Sequence, residues 1–323
     1  MTTQEVHHIC RQAGFELAGV APAEPSADVP RYKDWVERGL AGEMRYLTDR
    51  RAGVRTDPRN LLPTARSVIS VGKLYNRPEP PGPISRYAWG EDYHDLLRRG
   101  LTEVARQLGD HEYKICVDTA PLLERSYARE AGLGWIGKNT CLINQEMGSW
   151  FFLGELLTSL ELEPGTPPPD RCGTCTRCID ACPTQAISAG GYELDARACI
   201  SYLTIELRTI APEQMRAGIG DHIFGCDICQ DVCPWNNGAP VTDDPAFAPN
   251  NDAPSLALLT EDQFKTMYRR TPVWRAKYDG FLRNVAIAMG NSGQPRFRTA
   301  LEELSQNENQ MLREAAHWAL NRL

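Results

Sequence analysis

Eight cysteines between residues 172 and 233 have a spacing that can hold iron–sulfur clusters. The first four form a C-x2-C-x2-C-x3-C-P run, and three later cysteines repeat the last three positions of that run. This is the ligand spacing of a bacterial module with two [4Fe–4S] clusters, in which the fourth cysteine of each run ligates the other cluster. The missing ligand of the second run can come from Cys199, which lies between the runs.

The crossover rule predicts two complete ligand sets. The first is Cys172, Cys175, Cys178 and Cys233, and the second is Cys199, Cys226, Cys229 and Cys182. Two zinc ribbons are the alternative, because C-x2-C pairs also bind zinc. Zinc requires neither the third in-line cysteine nor the C-P endings. Disulfides are disfavoured because nothing at the N-terminus predicts a signal peptide.

The composition sets limits on the class of protein. A chain of 323 residues is long enough for two or three domains. Its formal net charge of −7 gives no general sign of a nucleic-acid-binding protein. No apolar stretch has the length of a membrane span. These features predict a soluble protein of the reducing cytoplasm, where thiolate-held clusters persist.

The elements before the cysteines predict a domain of the α/β or α+β class. Apolar patterning predicts helices at 4–13 and 92–108, and strands at 15–21, 67–75 and 112–118. Asp118 then lies where a strand passes to a helix that begins near Pro121, the usual position of a site residue in an α/β sheet. An aspartate in this position is also a common helix cap.

Two proline-rich linkers, 163–170 and 243–254, divide the chain. They predict domains at 1–165, 166–240 and 250–323. Four helices are predicted in the last domain, at 260–268, 281–289, 298–304 and 311–323, and they resemble a degenerate HEAT-type repeat. Fewer than three such repeats rarely stand alone, so we expect these helices to dock on the rest of the chain.

Two further features have structural alternatives. The segment G-L-G-W-I-G at 132–137 matches a dinucleotide-binding pattern. A helix is predicted before it and a strand after it, which is the wrong context for that function. Cys10, Cys116 and Cys141 are isolated in apolar segments, where a free cysteine is usually buried.

Five segments of the chain together resemble the epoxyqueuosine reductase family. They are DPRNLLPTARSVISVG, VDTAPLLERSYAREAGLGWIGKNTCLI, CGTCTRCIDACPTQAI, CISYLTIE and FGCDICQDVCPWN. The resemblance implies a monomeric, cobalamin-dependent iron–sulfur enzyme that removes the epoxide oxygen of epoxyqueuosine at the wobble position of tRNA. It also implies an α/β cobalamin domain like that of reductive dehalogenases, a ferredoxin-like module and a helical-repeat tail.

The resemblance also assigns roles to individual residues. Asp118 is the aspartate of the VDT motif, which in the family supplies the proton for the departing oxygen, and it is expected to contact the corrin as well. The residues in segments like those lining the corrin are Arg55, Ser85, Leu142, Leu153, Ser201 and Asp227. Lys138 and Asn139 of GWIGKN are expected to support either the corrin or the tRNA. No D-x-H-x-x-G motif occurs, and the resemblance implies base-off cobalamin without a protein ligand to cobalt.

The predicted cofactors suit this chemistry. Deoxygenating an epoxide takes two electrons and a proton for the departing oxygen, and no side chain can supply the electrons. Two clusters that pass electrons singly to a cobalt centre can do so. The rival hypotheses are a reductive dehalogenase acting on a small substrate and a non-catalytic electron carrier, which should bind no corrin. The sequence does not indicate the electron donor.

A basic stretch near the C-terminus is the predicted tRNA contact, together with some of the arginines between Arg45 and Arg59. Its members are Lys265, Arg269, Arg270, Arg275, Lys277, Arg283, Arg296 and Arg298. Local phosphate contacts, not overall charge, decide affinity for tRNA. A solvated helical face is the alternative, because charged runs usually have that role.

Overall fold

The computed structural model describes residues 2–249 and 257–323. Its α-helices are α1 (Thr3–Gln12), α2 (Val29–Glu37), α3 (Arg45–Thr48), α4 (Arg51–Val54), α5 (Tyr93–Gln107), α6 (Glu124–Glu130), α7 (Arg177–Asp180), α8 (Ile200–Ile205), α9 (Glu213–Ile219), α10 (Ile228–Asp231), α11 (Glu261–Tyr268), α12 (Lys277–Ser292), α13 (Arg298–Leu304) and α14 (Gln310–Leu320). Its strands are β1 (Leu17–Pro22), β2 (Ser67–Leu74), β3 (Tyr113–Cys116), β4 (Trp135–Ile136), β5 (Leu142–Ile143) and β6 (Phe151–Thr158).

A four-stranded sheet with the order β1-β2-β6-β3 carries the N-terminal part of the chain. Every neighbouring pair is antiparallel, so the fold belongs to the α+β side of the predicted class. Successive side chains of a strand point to opposite faces. Ile69 and Leu156 accordingly pack under α1 and α5, whereas Val68 and Leu157 pack under α6. Both faces are therefore covered by helices.

The predicted helices and strands of this part are confirmed, with one difference of position. Helix α6 begins at Glu124, three residues beyond the expected start near Pro121. The cause lies in the preceding turn, where Asp118 has a φ of 51°. That left-handed backbone conformation is uncommon for a residue with a Cβ. The segment between β3 and α6 is thus a turn that presents Asp118, and the helix starts only after it.

The G-L-G-W-I-G segment forms the edge of a small hairpin. Its strand β4 pairs antiparallel with β5, and α6 precedes it, so the strand–loop–helix context of a dinucleotide site is absent from this segment. The glycines have a packing role instead. A Cβ on Gly134 would lie 2.2 Å from the carbonyl oxygen of Ile143, which no side chain can tolerate.

The C-terminal helices dock on the cysteine-containing part of the chain, as expected. One hydrophobic core contains residues of α8 and α9 together with residues of α11 to α14. Asn284 of α12 donates to the carbonyl oxygens of Thr204 and Ile223, at 2.7 and 2.8 Å. The predicted domain limits stay predictions. Residues 250–254 of the second linker, with the predicted domain start at 250, lie outside the described residues.

Within residues 2–249 and 257–323, no helix combines the length and the apolar character that crossing a bilayer requires.

Candidate functional site

The first predicted ligand set surrounds a small cavity. Four cysteines line this space of about 230 Å³: Cys172, Cys175, Cys178 and Cys233. Burial, followed by the charges of Cys233, Cys172 and Cys175, raises the pKa of the Cys178 thiol to about 11. Trp135 and Trp235 contact each other edge to face beside this set, with ring centroids 5.0 Å apart. The cavity therefore has four soft ligands and an apolar wall, as a thiolate-held cluster requires.

The second set is assembled from three separate segments. Cys199 caps α8, Cys226 and Cys229 flank the start of α10, and Cys182 follows α7. Burial, followed by the charges of Cys199 and Cys182 among its neighbours, raises the pKa of Cys226 to about 12. The structure thus brings the crossover ligand Cys182 to the second set and not to the first.

Cys141 differs from the expectation of structural burial. Cys10 and Cys116 are buried, but Cys141 is partly exposed. Its thiol is hydrogen-bonded to Cys229, which lowers the pKa of Cys141. Cys141 therefore lies beside the second set without belonging to the two predicted groups of four.

Lys138 and Asn139 hold the loops that carry the two sets. The Lys138 ammonium donates to the carbonyl oxygens of Gly173 and Cys175, at 2.7 and 3.0 Å. The Asn139 amide donates to the carbonyl oxygen of Cys229, at 3.3 Å. Neither residue was expected in this role, because the sequence suggested a contact to the corrin or to the tRNA. The dipeptide joins the two cysteine loops.

Asp118 lies on the wall of the larger cavity and contacts a histidine. His94 Nε2 is 3.0 Å from Asp118 Oδ2, and His94 Nδ1 is 2.6 Å from Asp92 Oδ1. Arg275 approaches from the C-terminal part, with NH1 3.7 Å from Asp118 Oδ2 and Nε 2.6 Å from Glu206 Oε1. Three parts of the chain therefore meet at one carboxylate.

These contacts decide the protonation states. Burial raises the pKa of the Asp118 carboxyl, but the hydrogen bond and charge of His94 and the charge of Arg275 outweigh that effect and hold the pKa below its ordinary value. Burial lowers the pKa of His94, but its bonds to Asp118 and Asp92 outweigh burial and raise that pKa to about 9. At neutral pH the shared proton therefore resides on His94, next to an ionised Asp118.

The larger cavity has a volume of about 610 Å³. Its wall combines aromatic residues such as Tyr32, Trp35 and Tyr46 with Arg55 and Asp118. A cavity of this size is typical of a site for a cofactor or a small molecule, and its many charged residues suit a polar ligand.

The remaining corrin candidates fall into different environments. Arg55 is 3% exposed and donates to the carbonyl oxygens of Tyr46 and Ala120, at 3.1 and 3.3 Å, so it fixes the turn beyond Asp118. The Ser85 hydroxyl donates to the Asp227 carboxylate, and both residues are buried.

The last three corrin candidates lie in a hydrophobic core or at a partly exposed position. Leu142 and Leu153 belong to the core under α6, and Ser201 is partly exposed in the first turn of α8. Of all the corrin candidates, only Arg55 and Asp118 line the larger cavity.

The sequence interpretation missed two residues beside Asp118. His94 stands at the start of α5, where Asp92 is the N-cap, and Glu124 accepts a hydrogen bond from the backbone N–H of Asp118. The sequence does contain a signal for His94, because an imidazole two residues after a capping aspartate has a carboxylate partner. Glu124 lies within the VDTAPLLER segment but was given no role.

The basic stretch divides into groups with different surroundings. Arg283 is 1% exposed and donates to backbone carbonyl oxygens, so the prediction that it grips tRNA is wrong. Arg275 points to Asp118 and Glu206, and Lys265 pairs with Glu261 at 2.7 Å. The others are not buried: Arg269, Arg270, Lys277, Arg296 and Arg298.

Two four-cysteine sets, together with a separate cavity whose wall carries the carboxylate of an acid–imidazole pair, are features of an iron–sulfur oxidoreductase. The chain is 42% identical to the epoxyqueuosine reductase of Xanthomonas campestris pv. campestris, over 98% of this chain and 94% of that protein. It is 39% identical to the epoxyqueuosine reductase of Pseudomonas aeruginosa, over 97% and 92% of the two chains. The chain belongs to the epoxyqueuosine reductase family.

Two family models match separate parts of the chain. Residues 55–119 match the model described as Epoxyqueuosine reductase QueG, DUF1730, and residues 171–236 match a 4Fe-4S double cluster binding domain. The second match favours iron–sulfur clusters over the zinc alternative. The family also favours the main hypothesis over a dehalogenase or a simple electron carrier.

Solved structures agree with this assignment. A crystal structure of epoxyqueuosine reductase with an epoxyqueuosine-modified tRNA-Tyr stem loop superposes with a TM-score of 0.91 at 28% identity, covering 99% of this chain and 89% of that one. Epoxyqueuosine reductase from Streptococcus thermophilus gives a TM-score of 0.88 at 31% identity, with the same coverage.

Proposed function

We propose that this chain reduces epoxyqueuosine to queuosine at the wobble position of tRNA. The observation that carries the proposal is the position of Asp118, on the wall of a 610 Å³ cavity and 3.0 Å from His94. The balanced reaction consumes two electrons and two protons per epoxide and yields an alkene and one water. The site must therefore combine an electron supply with groups that hold protons.

The electrons enter through the cysteine sets. Cys172, Cys175, Cys178 and Cys233 hold one [4Fe–4S] cluster, and Cys182, Cys199, Cys226 and Cys229 hold the other, in keeping with their convergence in two groups. The first group encloses a cavity of about 230 Å³ lined by all four of its thiols, which fits a cluster. An external reductant supplies electrons to the two clusters.

We place the corrin at the mouth of the larger cavity, because the corrin candidates Arg55 and Asp118 line it. Its volume of about 610 Å³ holds part of such a group, with the remainder outside the cavity. Aromatic rings supply flat apolar surface, while Arg55 and Asp118 supply polar contacts at its wall. When bound, the corrin supplies the cobalt centre through which electrons reach the substrate.

The protein's own residues supply the first proton. The imidazolium of His94 donates to Asp118, and Asp118 passes the proton to the departing oxygen, which is general acid catalysis. His94 and then Arg275, whose charge lies 3.7 Å from the carboxylate, keep Asp118 ionised between turnovers. Arg55 fixes the following turn through the carbonyl oxygen of Ala120.

The tRNA contact lies beside this cavity. Arg270 and Arg269 are exposed, and the carbonyl oxygen of Arg270 accepts a hydrogen bond from the N–H of Asp92, at 3.0 Å. Asp92 in turn contacts His94. Phosphates held by the two arginines would place the anticodon loop at the cavity, into which the wobble base is extruded, as enzymes acting on a base require.

The substrate indicates where in the cell the reaction takes place. Because tRNA is modified where it is made and used, we place the activity in the cytoplasm, with a single chain providing the whole site.

The test is turnover with a defined substrate. Anaerobically purified protein with added cobalamin, a chemical reductant and an epoxyqueuosine-containing stem loop should produce queuosine, detected by mass spectrometry. Asp118→Asn should keep iron and cobalamin content while turnover falls by roughly 10²-fold or more, the usual scale for a general acid. Unchanged turnover would show that Asp118 has only a structural role in the turn.

A further inference from the structure

Glu155 is a buried carboxyl group without a partner. It lies on β6, is 0% exposed, and neither carboxyl oxygen has a hydrogen-bond partner. The strand register places it opposite Ser70 of β2 and Cys116 of β3, on the face covered by α6. The Ser70 hydroxyl also lacks a partner. An ionised carboxylate in such a place would be very costly, so the group is neutral.

Glu124 occupies the same side of the sheet and reaches the larger cavity. It is the first residue of α6, which packs against β1, β2 and β6, and it lines the cavity together with Asp118. Its Oε1 accepts a hydrogen bond from the backbone N–H of Asp118. Glu124 therefore stabilises the left-handed conformation of Asp118, while its second oxygen remains free to carry a proton.

Burial and the charge of Asp118 favour a proton on Glu124, against the charges of Arg125 and His94. Three charged groups face Glu124: Asp118 in the turn after β3, Arg125 on the same helix and His94 on α5. Burial, followed by the charge of Asp118, raises the pKa of Glu124 to about 8. Glu155 faces Glu124, and burial followed by the charge of Glu124 raises the pKa of Glu155 well above its ordinary value. No ion pair involves Glu124 or Glu155 in the described part of the chain.

The reaction requires such a group, if the function proposed above is right. Two protons are consumed per epoxide, and the Asp118–His94 pair holds only one between them. The second must reach the same oxygen after the carbon–oxygen bonds break. Like charges in contact cannot both persist, so an ionised Asp118 and a protonated Glu124 are the stable combination.

We propose that Glu124 holds the second proton of the reduction, and that Glu155 behind it stays a neutral carboxylic acid. In the step, the O–H bond of the Glu124 carboxylic acid breaks and a second O–H bond forms on the hydroxide that is released when the last carbon–oxygen bond breaks, which gives water. Glu124 becomes a carboxylate and is reprotonated from solvent through the cavity. The electrons are those already supplied by the clusters.

The protonation states can be measured without substrate. Infrared spectra of the cluster-loaded protein should contain the carbonyl bands of protonated carboxylic acids at pH 7. Glu124→Gln should remove one band that disappears as the pH rises through about 8, and Glu155→Gln should remove one that persists above that pH. Glu146→Gln, at an exposed site, is the control and should change neither band. A Glu124→Gln spectrum identical to wild type would overturn the proposal.

Turnover separates this proposal from the function it rests on. Gln at position 124 keeps the acceptor for the Asp118 N–H and removes only the proton. Glu124→Gln should therefore lower kcat by roughly 10²-fold with KM unchanged. The fall of wild-type kcat centred near pH 8 should vanish from its pH profile, while the fall near pH 9 that comes from His94 should remain. Iron content and near-ultraviolet circular dichroism verify that each variant folds.

The outcomes are distinguishable. An active wild type with an equally active Glu124→Gln variant would refute the role of Glu124. A wild type that forms no queuosine but shows both infrared bands would refute the reduction of epoxyqueuosine and leave the proton-holding pair standing. Partial recovery of activity in Glu124→Asp, which restores an acid in a shorter side chain, is the expected result for a proton donor.

Discussion

Replacing Arg283 with Met should destabilise the C-terminal helices strongly. The guanidinium donates to the carbonyl oxygens of Leu203 and Leu207, at 2.9 and 2.8 Å, and to that of Thr209. The side chain is 1% exposed, so water cannot replace the bonds to Leu203 and Leu207 without opening the core. Thr209 is exposed, so water can reach its carbonyl oxygen, but the guanidinium also donates to the buried Asn284 Oδ1 at 2.8 Å. Three buried acceptors left unpaired, each at the lower end of the ~1–3 kcal/mol cost of a buried unsatisfied group, give a loss of about 3–5 kcal/mol.

Urea denaturation followed by far-ultraviolet circular dichroism measures this loss, at equal iron content for each protein. Met retains most of the aliphatic volume, so cavity formation adds little to the effect. Arg296→Met is the matched control, because Arg296 is exposed and its guanidinium lies over the Phe297 ring, at 4.7 Å from the centroid. A loss in Arg283→Met no larger than in the control would refute the role of Arg283 as a backbone clamp.

The other predictions concern the cofactors, the acid pair and the tRNA contact. Metal analysis after anaerobic purification should find about eight irons per chain, the content of two cubane clusters, and two zincs without iron would contradict the ligand sets. The raised pKa of His94 means that its contribution to stability is full below its ordinary pKa of 6.5 and disappears as the pH rises through about 9. The advantage of wild type over His94→Gln in thermal denaturation should therefore shrink across that window, and a constant difference would count against the ion pair. Replacing both Arg269 and Arg270 with Ala should weaken stem-loop binding and flatten its dependence on log salt by about one unit for each phosphate that is no longer neutralised, with cofactor content unchanged. An unaltered salt slope would move the tRNA contact elsewhere.

The parts of the fold that could be predicted are those with strong apolar periodicity. Helix α5 and strand β2 were placed correctly because their apolar residues recur at the intervals of a helix and a strand. The late start of α6 was not predictable from such a pattern. It depends on the left-handed conformation of Asp118, which Glu124 stabilises through a hydrogen bond, and on the contact of the distant Arg55 with Ala120 in the same turn.

For a related reason, some residues of the site were predicted and others were missed. Asp118 stood at a strand end within a specific motif, whereas His94 at a helix start resembles an ordinary surface residue. Arg283 was wrongly assigned to the tRNA contact because a count of basic residues does not consider which face of the helix each residue occupies. Its helix α12 is buried on nearly all sides, and an arginine in such a helix has only the protein interior to face.

The dipeptide Lys138-Asn139 has a consequence for the rate of electron flow. Each side chain holds the loop of a different cysteine set, and the two Cα atoms are joined by one peptide unit of about 3.8 Å. Electron transfer between two centres falls steeply as their separation grows. The peptide unit and the hydrogen bonds at its two ends form a short bridge between the loops. This bridge restrains the separation of the two cysteine sets, and with it the distance over which an electron must pass, in addition to the packing of the surrounding helices.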